Sequence, residues 1–299
     1  MRRTCAVVLA CLWPCGLAVA TAAAPESAAS ITLKDDRGVE VRLAAPTRRI
    51  VTLAPFLTEM TYAAGAGDRL VGVSRHSDVP AAARTLPVIS DAVQVDFERV
   101  VSLQPDLVLA WVSGNPVRNV RALDRLGLPV FAVEPARLAD IPRLLRAIGT
   151  LAGTTPAAAR AAADFERALM ALRARHAGGP PVRTFYEIWR RPLTTVNGAH
   201  LVSDVFRLCG GVNVFESATA LVPTVSFEAL IAARPAVIVG GGPEGPEAFT
   251  RDWRRSLAAI RGYEPRLVYV DPALLQSLSP RVLEGAERVC AALEAARKP

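Results

Sequence analysis

The chain has 299 residues, enough for two lobes of ordinary domain size, and 51 % of them are hydrophobic. Its formal net charge is +7 at pH 7, but the basic residues are scattered and form no block of five or more, which argues against nucleic-acid binding. The three histidines, His76, His176 and His200, lack the spacing of metal ligands, so no metal site is predicted.

The first 22 residues have the layout of a secretory signal peptide. Arg2 and Arg3 form a short positive region, an apolar run follows at 5–20, and small residues occupy 18–24. The apolar run is shorter than the roughly 20 residues needed to span a bilayer. We therefore expect Sec export to the periplasm, with a retained anchor or lipidation of Cys15 as weaker alternatives.

Downstream, short apolar runs alternate with helical patterns. The predicted strands of the first half are 50–54, 70–74, 107–111 and 130–133, and the predicted helices are 57–64, 97–103 and 117–126. Alternation of this kind is typical of a parallel sheet covered by helices. It predicts a first α/β lobe over residues 31–138.

The longest helical pattern in the chain covers residues 157–176. It follows a Thr-Thr-Pro sequence at 154–156 that supplies an N-cap, and it ends before Gly178. Twenty helical residues span about 30 Å, so we expect a stiff helix between two lobes, within a helical segment at 139–178. Further strands at 184–188, 236–239 and 267–270 predict a second α/β lobe over residues 182–297.

A sequence repeat relates the two predicted lobes. Residues 95–111 align without a gap with residues 225–241, and four positions are identical. Each copy predicts a capped helix, a proline break and a buried strand. The repeat places Glu98 and Glu228 at equivalent positions. They are either helix-start charges that interact with the helix dipole or a clamp for paired arginines on a partner.

Two tryptophans follow predicted strands. Trp111 ends the strand at 107–111, and Trp189 follows the strand at 184–188. Ligands of open α/β sheets bind beyond the carboxyl ends of strands, so both indoles are candidates for stacking on a large planar ligand. The alternative is that each indole fills the loop that it begins.

Other motifs are weaker. Gly240, Gly242 and Gly245 satisfy G-x-G-x-x-G after a strand, but prolines interrupt the motif and it lies late in the chain. We interpret it as a strand-to-loop turn and keep an exported nucleotide-binding enzyme as a separate hypothesis. Cys209 and Cys290 are the two cysteines downstream of the signal, and such a pair indicates either a disulfide or two buried thiols.

Motifs spread over the chain resemble those of cobalamin-binding periplasmic proteins of ABC importers, a helix-linked class whose members also take up haem and iron–siderophores. The residues that carry the resemblance include 49–55, Thr58-Glu59, Phe97-Glu98-Arg99, 105–111, Cys209-Gly210-Gly211 and Ser279-Pro280-Arg281.

The resemblance implies two Rossmann-like α/β lobes joined by a single long rigid helix, in a monomer without catalytic residues, metal or cofactor. It also implies a Cys209–Cys290 disulfide, and it implies that Glu98 and Glu228 dock on arginines of an ABC transporter permease. The candidate ligand-binding residues are Phe56, His76, Trp111, Trp189, Ala273, Leu274, Leu275, Gln276 and Ser277.

The chain departs from the resembling family at three pocket positions. Ala92, Val222 and Leu274 stand where the relatives carry aromatic residues. Cobalamin or a related corrinoid is nevertheless the expected ligand, and haem or a ferric siderophore is the alternative. His76 bears on this choice because an imidazole can ligate haem iron or corrinoid cobalt, or simply make a hydrogen bond.

Overall fold

The computed structural model describes residues 30–176, 178–242 and 244–298. The predicted signal peptide at 1–22 and the alternative lipidation site Cys15 lie outside these residues. Among the helices described, none is long and apolar enough to span a bilayer.

Strands and helices alternate along most of the described chain. The strands are β1 Ile31–Lys34, β2 Glu40–Leu43, β3 Ile50–Thr52, β4 Leu70–Ser74, β5 Val88–Ser90, β6 Leu107–Trp111, β7 Val130–Val133, β8 Val182–Glu187, β9 Gly211–Asn213, β10 Val237–Gly240 and β11 Arg266–Tyr269. The helices are α1 Pro55–Ala63, α2 Phe97–Ser102, α3 Val117–Arg125, α4 Asp140–Ala152, α5 Thr155–His176, α6 Leu201–Leu208, α7 Phe227–Ala233, α8 Gly245–Leu257, α9 Pro272–Leu275 and α10 Val282–Arg297.

The first lobe contains a parallel sheet with the strand order β5-β4-β3-β6-β7, preceded by the antiparallel β1–β2 hairpin. The chain starts at β3 in the middle, builds one side through β4 and β5, and then returns to build the other through β6 and β7. The topological switch point therefore lies between β3 and β6, where open α/β sheets bind their ligands.

The second lobe has a parallel sheet with the order β11-β10-β8-β9. Here the chain starts at β8, adds β9 on one side and then β10 and β11 on the other, so the switch point lies between β8 and β10. The predicted pair of α/β lobes is thus confirmed.

The sequence repeat corresponds to a repeated structure. Each copy forms a helix and a strand, α2 with β6 and α7 with β10, and each strand pairs in parallel with the first strand of its own sheet. The predicted caps are also confirmed, because Asp96 accepts a hydrogen bond from the backbone N–H of Arg99 (3.0 Å) and Ser226 accepts one from that of Ala229 (3.1 Å).

A single apolar layer, here called the central layer, covers one face of both sheets. It consists of the buried side chains of α1, α4, α5, α6 and α10 and the strand residues that face them. In β6, for example, Leu107 and Leu109 face this layer, whereas Val108 and Ala110 face α2 and α3 on the other side. The two lobes therefore share this layer, and each lobe has a further buried cluster of its own on the outer face of its sheet.

Helix α5 lies along the central layer. It has 22 residues, so it is about 33 Å long, and it contributes a buried stripe of Ala158, Ala162, Phe165, Leu169 and Leu172. The segment at 139–178 contains two helices, because Gly153 adopts a left-handed conformation (φ +64°) that ends α4 before α5 begins.

The start of α5 is fixed to α1. Thr154, the predicted N-cap, donates its hydroxyl to the carbonyl of Ala64 (2.7 Å), where α1 ends. Gly65 packs so closely on the first turn of α5 that an added Cβ would lie 2.6 Å from the Cβ of Ala157. These contacts position α1, and hence the residues at its start, relative to the connecting helix.

Cys209 and Cys290 are joined by a disulfide that links the end of α6 to α10. This confirms the pairing implied by the family resemblance and excludes the alternative of two free thiols. The bond closes a loop of 81 residues within the second lobe.

We expect the double variant Cys209→Ser with Cys290→Ser to unfold more readily than the parent. Cross-linking a loop of this length lowers the entropy of the unfolded chain by an amount equivalent to about 4 kcal/mol. Urea unfolding followed by circular dichroism should therefore give a lower midpoint, and reductant should bring the parent to the same value. An equal midpoint for the oxidised parent and the variant would contradict the expectation.

Candidate ligand cleft

Two aromatic side chains form the switch point of the first lobe. Phe56 lies in the first turn of α1, which follows β3, and Trp111 is the last residue of β6. Their rings meet edge to face, with centroids 5.5 Å apart. Phe56 is buried and Trp111 is half-buried, so the indole is the part of the pair that a ligand can contact.

Polar contacts fix the orientation of Trp111. Its indole N–H donates to Glu134 (3.4 Å), and Glu134 also accepts from the backbone N–H of Ser113 (2.7 Å). Asn115 joins the two strands at the switch point, because it accepts from the backbone of Trp111 (2.7 Å) and donates to the carbonyl of Leu53 (2.9 Å). The indole is therefore held in place before any ligand binds.

Gly114 is required by this arrangement. A Cβ at this position would lie 1.8 Å from the indole atom Cε3 of Trp111. The indole lies directly against the backbone here, and any side chain would displace it.

A cavity of about 360 Å³ opens at the switch point of the second lobe. We call it the C-lobe pocket. It is lined by the end of β8 and the loop that follows, by the loop after β10, and by one face of α8. Trp189, in the loop after β8, lines the pocket and remains 57 % exposed.

Charged and aromatic groups meet inside the C-lobe pocket. Glu187, the last residue of β8, accepts a hydrogen bond from Arg190 (3.0 Å), whose guanidinium lies 3.8 Å from the ring centroid of Trp253. Burial raises the pKa of Glu187, an effect that the positive charge of Arg190 opposes. Arg190 also donates to Ser256 (2.7 Å), so its charge is engaged within the lobe, whereas Arg191 is exposed.

The carboxyl edges of the two sheets meet at Glu59. This residue lies on α1, one turn after Phe56, and its carboxylate accepts hydrogen bonds from Ser279 (2.6 Å) and Ser277 (3.2 Å) in the segment that follows α9. Arg281 forms an ion pair with it at 3.6 Å. The side chain of Glu59 is only 12 % exposed. The two switch points are therefore held on the same side of the molecule.

The predicted ligand loop divides into buried and accessible residues. Leu274 and Leu275 are 4 % and 0 % exposed and belong to the central layer, which leaves them little surface for a ligand. Ala273 and Gln276 are exposed. Ser277 is buried in the contact with Glu59.

A hydrogen bond within the second lobe fixes the side chain of Gln276. It donates to the hydroxyl of Tyr186 (3.2 Å). Burial raises the pKa of Tyr186 to about 12, so the hydroxyl stays protonated at neutral pH.

The histidines occupy different environments. His76 is exposed, two residues beyond β4, with a backbone φ of +65°. His200 caps α6 by accepting from the backbone N–H of Val202 (3.2 Å), and burial lowers its pKa to about 4. Within the described residues, no cluster of three or more potential metal ligands occurs.

Sequence reasoning did not identify Glu59, Glu187 or Trp253 as part of the site. Glu187 and Trp253 carry no motif. Glu59 stands in a Thr-Glu pair, and nothing in a single sequence connects it with serines about 220 positions away. The one usable signal was position, because Glu187 ends a predicted strand, and polar residues at the carboxyl ends of parallel strands line ligand sites.

Two parallel α/β lobes with a shared core, one long connecting helix and two switch points on the same side define a helix-linked solute-binding protein. The chain belongs to the periplasmic binding protein family, whose model matches residues 50–272. Proteins of this family bind small molecules and work with ABC transporter permeases.

Named relatives support this assignment. The chain is 34 % identical to a vitamin B12-binding protein of Vibrio cholerae over 85 % of its own length and 91 % of the relative's. A vitamin B12-binding protein of Pectobacterium carotovorum is also 34 % identical, over 83 % of this chain and 89 % of the relative's.

Solved structures show the same fold. The periplasmic vitamin B12 binding protein BtuF of Vibrio cholerae matches with a TM-score of 0.77 and 34 % identity, over 85 % of this chain and 99 % of that one. The periplasmic heme-binding protein RhuT of Roseiflexus matches with a TM-score of 0.72 at 23 % identity, over 84 % and 100 %. The second match bears on the fold alone.

We expect Glu59→Ala to loosen the contact between the lobes. The change leaves Arg281 and two buried serine hydroxyls without the carboxylate that joins them, which should lower the free energy of unfolding by about 1–3 kcal/mol. Spin labels at Arg125→Cys and Arg254→Cys, both exposed and one on each lobe, should show a broader distance distribution.

The matched control is Glu166→Ala. Glu166 also pairs with an arginine, Arg146, but the pair is exposed and joins α4 to α5. It should leave the distance distribution unchanged. Equal distributions for Glu59→Ala and the parent would show that Glu59 does not hold the lobes together.

Proposed function

We propose that the protein is exported by the Sec route to the periplasm, captures cobalamin or a related corrinoid between its lobes and delivers it to an ABC transporter permease. The observation that carries the proposal is the 34 % identity, over most of both chains, to proteins named for vitamin B12 binding. The matched 254 residues are more than either lobe contains, so the similarity extends into both lobes and therefore to both walls of the cleft.

The geometry of the first lobe supports a large, flat ligand. Trp111 offers an indole that is held by Glu134 and Phe56 and does not need to be ordered on binding. A preorganised aromatic surface gains affinity because little side-chain entropy is lost. Trp189 is the corresponding exposed indole at the C-lobe pocket.

Haem or a ferric siderophore is the second candidate ligand. The exposed imidazole of His76, beyond the carboxyl end of β4, is the feature that favours haem. Solved heme-binding structures resemble this chain less closely, at 22–24 % identity, which is why the corrinoid comes first.

We interpret the glycine-rich loop after β10 as structural. A Cβ at Gly241 would lie 2.3 Å from the carbonyl oxygen of Val270, and one at Gly240 would lie 2.9 Å from the side chains of Glu187 and Phe249. Close packing of the backbone accounts for these glycines. We propose binding and delivery as the activity, in keeping with the solute-binding family to which the chain belongs.

Replacing either exposed indole should weaken corrinoid binding. We expect Trp111→Ala and Trp189→Ala each to cost about 1–3 kcal/mol, as is typical of an aromatic anchor. The measurement is titration of purified protein with cyanocobalamin, haem and a ferric siderophore by calorimetry. Met170→Ala, exposed on α5, is the control. Unchanged affinity in both tryptophan variants would show that the indoles only fill the loops that they begin and do not contact the ligand.

Docking to the permease is the second part of the proposal. Glu98 and Glu228 are exposed in the first turns of α2 and α7, the helices of the repeat. Hydrogen bonds from its own backbone N–H and from Ser226 lower the pKa of Glu228, so its carboxylate is ionised at neutral pH. Matched carboxylates on two lobes with a fixed separation can engage two arginines together.

The double variant Glu98→Ala with Glu228→Ala should bind ligand as the parent does but support much less uptake. Both carboxylates lie in the outer helices, away from the switch points, so their loss should affect docking and its salt dependence only. Vitamin uptake by cells and binding of the purified protein to permease vesicles would measure this.

Glu40→Ala with Glu247→Ala, also one exposed carboxylate on each lobe, controls for the change in charge. Normal uptake by the Glu98–Glu228 variant, or loss of its ligand binding, would rule out the docking role.

A further inference from the structure

His76 places an imidazole at the carboxyl edge of the first sheet. It lies two residues beyond β4, which pairs with β3 at the switch point of this lobe. The residue is exposed. Within the described residues its imidazole makes no hydrogen bond or ion pair, unlike those of His200 and His176. Both of its ring nitrogens are therefore available to a ligand at this edge.

The turn that carries His76 has an unusual backbone conformation. Its φ of +65° lies in the left-handed region, which residues other than glycine rarely occupy. The turn is closed by the backbone N–H of Ser77, which donates to the carbonyl of Ser74 (3.3 Å). Strained conformations of this kind persist where the surrounding structure enforces them, and they cluster at ligand sites. The strain indicates that the position of the imidazole has a function.

Buried hydroxyls tie this turn to α1. Thr58 donates to Ser77 (3.1 Å) and shares a second hydrogen bond with Thr52 at the end of β3 (2.7 Å). None of these three residues is more than 6 % exposed. Thr58 lies two residues after Phe56 in α1. One helix therefore positions both the turn and the aromatic pair of the first lobe.

A single imidazole is enough to bind the metal of a planar ligand. The ring of a corrinoid already supplies four nitrogens to its cobalt, so the protein needs to fill only one axial position. Histidine is the commonest metal ligand of proteins, and it holds haem iron in the same way. On the exchangeable face of cobalamin, this position holds water in aquocobalamin and cyanide in cyanocobalamin. An imidazole can replace the water but not the more tightly held cyanide.

We propose that His76 is an axial ligand of the corrinoid cobalt, so that the cleft retains aquocobalamin more tightly than cyanocobalamin. In the exchange, one ring nitrogen donates its lone pair to cobalt(III), and the bound water leaves for solvent. The other ring nitrogen keeps its proton, and the cobalt keeps its oxidation state. The inference rests on the proposed function and deepens it, because it names the axial form of the corrinoid that the cleft prefers.

The test is the visible spectrum of the bound vitamin. Exchange of an oxygen ligand for a nitrogen ligand changes the electronic transitions of the cobalt corrin, so aquocobalamin should show shifted absorption bands when the purified parent protein is added. Cyanocobalamin should bind with an unchanged spectrum. Equal shifts for the two vitamins would report a change of surroundings without ligation and would overturn the proposal.

His76→Asn distinguishes ligation from a hydrogen bond. Asparagine tolerates the left-handed conformation and can still form hydrogen bonds, but its amide is a poor ligand for cobalt(III). The variant should therefore lose the spectral shift with aquocobalamin and most of the preference for aquocobalamin over cyanocobalamin. A shift that survives in the variant would assign the ligation to another group, and the proposal would be wrong.

His176→Asn is the matched control, because His176 ends α5 ahead of the amino end of β8, at the edge of the second sheet opposite the cleft. This variant should keep the spectral shift. If the parent binds neither cobalamin, the proposed function fails and the inference fails with it. If it binds both without a shift for aquocobalamin, the inference alone fails.

Discussion

The central layer joins the two sheets through a common set of buried side chains, and α5 runs along it with one face against both lobes. Moving one lobe relative to the other would expose part of this apolar surface, at about 25 cal/mol per Å². Glu59 adds a polar contact between the lobes at the carboxyl edges of the two sheets, through its hydrogen bonds with Ser277 and Ser279 and its ion pair with Arg281. Small adjustments are compatible with this construction, and wide opening is not.

Because the two lobes can move only slightly relative to each other, a ligand must be recognised by side chains that are already in position. At the first switch point, Glu134, Asn115 and Phe56 hold Trp111 from three sides. At the second, Arg190 bridges Glu187, Ser256 and the ring of Trp253. Both groups of side chains are fixed by contacts within the chain, so a ligand that binds between them, as we propose, spends no binding energy on ordering them. The walls differ in character, the first aromatic and the second charged, which suits a ligand with an apolar ring and a polar periphery.

The sequence predicted the lobes because their buried strands, such as β6 and β7, are uninterrupted apolar runs. It did not indicate β1, β2, β5 or β9, which have only three or four residues each. β1 and β2 do alternate between apolar and polar residues, but four residues are too few to distinguish a strand from a loop. The burial of Leu274 and Leu275 could not be predicted, because an apolar residue outside a regular periodic pattern can face either a ligand or the core. The structure places both in the central layer. Trp253 belongs to no motif, and only the structure shows that it lies beneath the guanidinium of Arg190 in the C-lobe pocket.

Gly114 shows how the first wall can change over evolutionary time. The position of Trp111 depends on the absence of a side chain there, since a Cβ would lie 1.8 Å from the indole. Glycine is separated from alanine, serine and several larger residues by single-nucleotide changes. One mutational step at Gly114 would therefore move the indole proposed to contact the ligand, while every aromatic residue at this switch point is preserved. Lineages of this fold can diverge in ligand preference by that route without passing through a form that has lost its tryptophan.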